Sequence, residues 1–321
     1  MSEPSDPVRP DLRARVHAAV GHAVVGLEAE LDLCLVALLA GGHALLEGPP
    51  GVAKTLLARA LARALGCDFG RVQFTPDLMP ADVSGTSVFL PGDATFRFQP
   101  GPVFAQVLLC DEINRAPAKT QAALLEAMQE GSVTVDGERH ALPRPFFVIA
   151  TMNPIEHEGT YPLPEAQLDR FLVKLRLGWP AVETEERILA VSHARAPSAR
   201  PSELGVEPVT DPAELEALAR SIDLVAVRED LPAYVVRLLN ATRNDASLVL
   251  GASPRAGVML LRAAKAFAAL EGLDYVTPDH LKAVFVPALR HRVVVDPAEE
   301  LEGVRAETIL AQVLDSVEVP R

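Results

Sequence analysis

From Ala44 to Leu65 the chain reads as a short apolar strand, a glycine-bearing loop and a helix that follows the loop directly. The strand is Ala44, Leu45, Leu46 and Glu47. The loop is Gly48, Pro49, Pro50, Gly51, Val52, Ala53, Lys54 and Thr55, with Leu56 next in the helix. This is the phosphate-binding pattern G-x-x-x-x-G-K-[ST], with Ala53 where the last glycine usually stands. Glycines let backbone N–H groups turn toward phosphate oxygens, and the helix start behind them adds unpaired donors and the positive end of a dipole. In such a loop Lys54 reaches the β- and γ-phosphates and Thr55 offers its hydroxyl to Mg²⁺. Ala53 is the smallest replacement for glycine and tolerates the helical dihedrals expected there. An ordinary strand–turn–helix explains the glycines, but not a Lys-Thr pair opening the helix. That helix keeps Leu57, Leu61, Ala64 and Leu65 on one face and stops at Gly66.

With 321 residues, 49% of them apolar, the chain is long enough for two domains with a sizeable core. Its net charge of −13 argues against sequence-independent nucleic-acid binding, which depends on neutralising phosphates. The three cysteines, Cys34, Cys67 and Cys110, are far apart in apolar surroundings, which fits buried thiols in a reducing cytoplasm better than metal ligands. The longest uncharged apolar stretch, Leu33 to Leu46, is too short to span a bilayer, so no membrane insertion is expected.

Residues 1–11, with three prolines and mixed charge, are expected to be mobile. Helices are expected over Arg13–Val25 and Glu28–Ala40, and His43 is expected to be structural. A strand over Phe69–Phe74 is followed by a hairpin, Thr86–Leu90 and Thr95–Phe98, in which Phe89, Phe96 and Phe98 are expected to pack. Val107, Leu108 and Leu109 form an apolar strand ending in Cys110, Asp111 and Glu112, a Walker B pattern. There Asp111 is placed for the Mg²⁺ shell and Glu112 to activate a water for in-line attack. An acidic pair after a strand also fits a plain helix start; lying downstream of a phosphate loop favours the catalytic assignment. The helix Ala118–Glu130 precedes a second hairpin around Asp136-Gly137. The strand Phe146–Ala150 leads to Thr151, Met152, Asn153 and Pro154. Asn153 can donate to a γ-phosphate or the attacking water, although an asparagine before proline also commonly forms a turn. A short helix ends around Asp169, Arg170 and Phe171, and the strand Leu172–Leu175 follows. The remainder reads as helical: Glu183–Ala194, a linker Ala196–Pro201, then Pro212–Ser221, Leu231–Asn244, Pro254–Glu271, Pro278–Arg292 and Glu300–Ser316. Ser253 and Pro254 read as N-cap and first helical residue, which places Arg255 in the first turn, where its charge opposes the dipole unless it meets an anion.

Together these motifs resemble the MoxR family of AAA+ ATPases. The match is carried by the stretch from Gly48 to Thr55, Gln73 to Gly85, Asp111 to Ala116, Ala150 to Pro154, Leu163 to Phe171 and Gly251 to Arg255. The resemblance implies an α/β fold with a five-stranded parallel sheet between helices, followed by a small all-α lid. The strand ending at Asn153 then lies between the phosphate-loop strand and the Walker B strand. It implies that residues 1–180 form the nucleotide-binding domain, with inserts at about 86–100 and 132–142. A connecting helix and linker would occupy 181–201 and the lid 202–321. It casts Asn153 as sensor 1, Arg170 as arginine finger and Arg255 as sensor 2, with ATP and Mg²⁺ as cofactors. Ala53 and Cys110 depart from the family pattern without removing a catalytic group. What the resemblance implies about function is a hexameric, chaperone-like remodeler of partners with von Willebrand factor A-type domains. A chelatase-type motor subunit, a nucleotide-gated scaffold with little turnover and a DNA translocase remain as alternatives. Glu112 and Arg170 argue against the scaffold, and the acidic balance against the translocase.

Overall fold

The most apolar runs of the chain become the middle of a parallel sheet, because strands covered by helices on both faces must be apolar throughout. The computed structural model describes residues 12–92, 94–153, 161–192 and 199–320. The stretch 1–11, Asp93 of the first hairpin, Pro154 and residues 196–198 of the expected linker lie outside the described residues. In chain order the first elements are α1 (Leu12–Gly21), α2 (Glu28–Leu39), β1 (Ala44–Glu47), α3 (Lys54–Ala64) and β2 (Phe69–Gln73). A short α4 (Pro80–Ser84) leads into the hairpin β3 (Gly85–Leu90) and β4 (Thr95–Pro100), and then β5 (Val107–Asp111). Next come α5 (Ala118–Glu130), the hairpin β6 (Ser132–Val135) and β7 (Glu138–Ala141), β8 (Phe147–Met152), α6 (Glu165–Leu168) and β9 (Val173–Arg176).

The sheet order is β2-β5-β8-β1-β9, and every pairing is parallel. As expected, the strand that leads to Asn153 lies between β1 and β5. The inner strand β5 is buried along its length, whereas the edge strands carry charge at Arg71, Lys174 and Arg176. One face of the sheet packs on α5 through Leu124, Leu125 and Met128. The other packs on α2 and α3, and its apolar core runs without a break into the C-terminal helices.

Those helices are α7 (Val182–Ser192), α8 (Pro212–Ser221), α9 (Asp230–Asn244), α10 (Pro254–Leu270), α11 (Pro278–Leu289), α12 (Pro297–Leu301) and α13 (Ala306–Ser316). Two expectations need correction here. The region is not wholly helical: Leu248–Leu250 and Val294–Val295 pair as the antiparallel strands β10 and β11, too short to leave a periodic signal. The helix expected over Glu300–Ser316 is broken, because the chain turns at Gly303 with φ +88°. Two ranges are also shorter than expected: the first helix ends at Gly21, and α11 ends at Leu289.

In the first hairpin the three phenylalanines pack as expected, but two of them do so at the surface. Phe89 and Phe96 face each other across it with ring centroids 5.2 Å apart, yet Phe96 is 72% exposed. Only Phe98 turns inward, stacking on His140 of the second hairpin at 3.9 Å and meeting Phe104 at 5.5 Å. The second hairpin turns as expected, with Asp136 and Gly137 both at positive φ.

His43 is structural. Its Nδ1 accepts the Val148 N–H at 3.0 Å, so Nε2 carries the proton and donates to the Met128 carbonyl at 3.3 Å. Burial pushes the imidazole pKa down to about 4, opposed by the Met128 carbonyl. Between about 4 and the ordinary value near 6.5 the unfolded chain therefore binds the extra proton and the folded chain does not. Stability from this group is complete above about 6.5 and falls as pH drops toward 4, by up to about 1.4 kcal/mol per pH unit. Urea denaturation of His43→Gln between pH 7 and 4.5 is expected to show a shallower pH slope than the wild type. An unchanged slope rejects the assignment.

Candidate nucleotide site

Parallel strands end on one side of a sheet, and open α/β sheets bind their ligands beyond those ends. Beyond β1 the chain forms the loop Gly48–Thr55, and α3 begins at Lys54. Gly48 has no room for a side chain, since an added Cβ would lie 2.5 Å from the Leu177 carbonyl oxygen. Gly51 turns at φ +88°. Ala53 differs from expectation: it is the N-cap of α3 and lies in the left-handed region, φ +60° and ψ +19°, not in helical dihedrals. That conformation is why glycine suits the position, and a Cβ there costs about 1–2 kcal/mol. Lys54 Nζ donates to the carbonyl oxygens of Gly48 and Pro49. Burial lowers its pKa, and the nearby carboxylates of Asp111 and Glu112 oppose the shift.

Asp111 ends β5 as a buried carboxylate. Its Oδ2 accepts from the Thr55 hydroxyl at 3.3 Å and from Arg71 Nε at 2.9 Å, while Oδ1 accepts from the Thr151 hydroxyl at 3.0 Å. Thr151 also accepts the Glu112 N–H at 2.9 Å. Glu112 turns at φ +57°, and its carboxylate accepts from Gln73 Nε2 at 2.9 Å and Arg115 at 3.1 Å. Asn153 is buried at the end of β8. Thr55 is thus joined to Asp111 directly, and Asp111 to Glu112 through Thr151. The two arginines lie elsewhere. Arg170 donates to the Leu125 carbonyl at 3.0 Å and to the Gln129 side chain, both in the C-terminal half of α5, and pairs with neither Asp169 nor Glu165. Arg255, in the first turn of α10, meets the anion that its position calls for: Asp169 Oδ2 lies 3.3 Å from its Nε.

Sequence reasoning gave no role to Arg71, Gln73 or Thr151, whose parts depend on strand register, or to Asp169, whose partners come from the C-terminal helices. It also missed an apolar cleft of about 260 Å³ beside the loop. Val24, Val52, Leu56, Leu177, Trp179 and Ile188 line it, from four separate parts of the chain. Glu30 reaches the same cleft, and burial raises the pKa of its carboxyl group. Among the described residues no group of three or more histidine, cysteine or acidic side chains is placed to hold a metal ion. No helix among them is long and apolar enough to cross a membrane.

A lysine-bearing loop at the head of a helix, set beside two carboxylates at the end of β5 in a β2-β5-β8-β1-β9 sheet, defines a nucleotide-binding ATPase of the AAA+ class. The family described as the ATPase family associated with various cellular activities matches residues 43–173, and the AAA lid domain matches residues 240–313. The chain is 45% identical to the uncharacterized protein YeaC of Bacillus subtilis, over 97% of this chain and 96% of that protein. It is 42% identical to Chaperone MoxR1 of Mycobacterium tuberculosis, over 97% of this chain and 84% of that protein. A crystal structure of a candidate ATPase from Cytophaga hutchinsonii superposes with a TM-score of 0.88 at 38% identity, covering 97% of this chain and 96% of that one. This chain belongs to the MoxR family of AAA+ ATPases, enzymes that hydrolyse ATP.

The left-handed Ala53 makes a direct prediction. Ala53→Gly removes the Cβ penalty at the price of a more flexible unfolded chain, for a net gain of about 0.5–1 kcal/mol. Denaturation should show that gain while ATP turnover is kept. A loss of stability contradicts the strain.

Proposed function

We propose that this ATPase is a ring-forming, chaperone-like remodeler that couples hydrolysis to the maturation of a partner protein bearing a von Willebrand factor A-type domain. The site roles we assign are these. The loop from Gly48 to Leu56 wraps the phosphates, with Lys54 leaving the Gly48 and Pro49 carbonyls for the β- and γ-phosphates. The apolar cleft beside the loop takes the base. Mg²⁺ suits the oxygens of Thr55 and Asp111, which already meet at 3.3 Å; a hard cation of this size keeps few protein ligands and completes its shell with water and phosphate. Arg71 supplies part of the positive charge on Asp111 that such an ion also offers. When bound, the ion neutralises charge on the phosphates.

Glu112 takes the proton of the attacking water, and Asn153 orients that water or the γ-phosphate. Arg255, in the first turn of α10, contacts a nucleotide phosphate as sensor 2. Arg170 serves the neighbouring subunit: its contacts are with α5, and with Arg139 it lines an open polar cleft of about 610 Å³. A ring, which we take to be hexameric, goes with a finger that serves a neighbour. The relative named Chaperone MoxR1 supports remodeling rather than a metabolic reaction. The resemblance of the motifs supports the partner class, and a cytoplasmic location goes with it.

The observation that carries this reading is the carboxylate pair fixed beside the loop, with Glu112 held at the sheet edge by Thr151. Glu112→Gln keeps the side-chain size but lacks the base, so turnover should fall by about two orders of magnitude or more with ATP binding retained. Arg170→Ala should be equally inactive. Mixed after proven subunit exchange, the two variants should regain activity, because some interfaces pair an intact base with an intact finger. Exchange without recovered activity sinks the trans role of Arg170.

A further inference from the structure

Asp169 carries none of the chemical roles proposed for this ATPase. It follows α6, directly before Arg170, and each of its carboxylate oxygens faces a different arginine. Oδ1 lies 2.7 Å from Arg292 Nε, and Oδ2 lies 3.3 Å from Arg255 Nε.

The two arginines are held very differently. The Arg292 side chain is 3% exposed and also donates to the carbonyl oxygens of Phe171 at 2.7 Å, Leu172 at 3.0 Å, Asp169 at 3.1 Å and Ala288. To move it would strip a buried cation of several acceptors at once, which is prohibitive. The Arg255 side chain is 62% exposed, and its ion pair with Asp169 is longer. It stands in the first turn of α10, where the helix dipole disfavours a cation that lacks an anionic partner. Of the two partners of Asp169, one is therefore fixed and one is releasable.

We infer that Asp169 is a positioning residue that holds Arg255 against the lid–sheet joint and competes with the bound nucleotide's phosphate for it. Arg292 fixes the carboxylate in place, so that Arg255 leaves and returns without disturbing the joint. A phosphate carries more charge and more acceptor oxygens than Asp169 presents on one side, so it wins the exchange. The affinity for ATP then includes the cost of breaking the Asp169–Arg255 pair. This inference rests on the reading of Arg255 as a phosphate contact.

The test is a double-mutant cycle read as the Kd of ATPγS with Mg²⁺. D169N removes the negative charge but leaves an amide oxygen that still accepts from Arg292. Partly exposed ion pairs are weak, so D169N is expected to lower the Kd about two- to fivefold. In an Arg255→Ala background the same change should leave the Kd where it was. A Kd that is unchanged or raised by D169N alone, or lowered equally in both backgrounds, overturns the inference. The failure of the underlying reading looks different: Arg255→Ala would then bind ATPγS as tightly as the wild type. Should D169N fail to fold, a crystal structure of the wild-type chain with ATPγS and Mg²⁺ decides instead. Arg255 should have moved beyond about 4 Å from Asp169, the outer limit of an ion pair, with Arg292 still in contact. Arg255 still paired with Asp169 beside a bound nucleotide rules the exchange out.

Discussion

The Asp111 carboxylate is the group on which the arrangement at the sheet edge depends. A carboxylate this buried is costly unless its oxygens are filled. Thr55 from α3, Thr151 from β8 and Arg71 from β2 fill them, each at 3.3 Å or closer. Those bonds form only if β2, β5 and β8 end level with one another and the phosphate loop sits beside them. One side chain therefore ties strand register to loop position. Thr151 extends the tie by accepting the Glu112 N–H, which fixes how the chain turns as it leaves β5.

Around that fixed centre, the charged side chains assigned to chemistry rest on partners within the chain. Lys54 lies on loop carbonyls, Glu112 on Gln73 and Arg115, Arg170 on α5 and Arg255 on Asp169. The backbone beneath them is held by cores on both faces of the sheet, one of which continues into the lid helices. Rearranging these side chains exchanges one set of polar contacts for another. It leaves the burial of apolar surface, the larger contribution to folding, untouched.

The sequence made the centre of this fold legible because local patterns and chemistry coincide there. The apolar run before Gly48, the Lys-Thr helix start and the apolar run ending in Asp111-Glu112 are each short and contiguous, and the structure places all three at the C-terminal ends of the parallel strands. What was not legible depends on distance in sequence. Thr151 matters because β8 inserts between β1 and β5, and Asp169 because it meets Arg255 and Arg292 from the lid. The base-side cleft draws on residues from Val24 to Ile188, which no local window joins. The left-handed Ala53 was misread because the residue just before the Lys-Thr helix start is the N-cap, which does not share the helix's dihedrals. Phe89 and Phe96 do pack as expected, but on each other and exposed, because this hairpin stands off the sheet.

The central claim is that ATP lies across the loop and the apolar cleft at the ends of β1, β5 and β8. The only tryptophan of the chain, Trp179, lines that cleft and is 72% exposed, so its fluorescence reports on the site directly. Titration with ATPγS and Mg²⁺ should change its emission saturably as the base covers the indole. With Lys54→Ala the same change should need at least about tenfold more nucleotide, because a charged phosphate contact is lost. Emission indifferent to nucleotide, or a midpoint unmoved by Lys54→Ala, contradicts the placement.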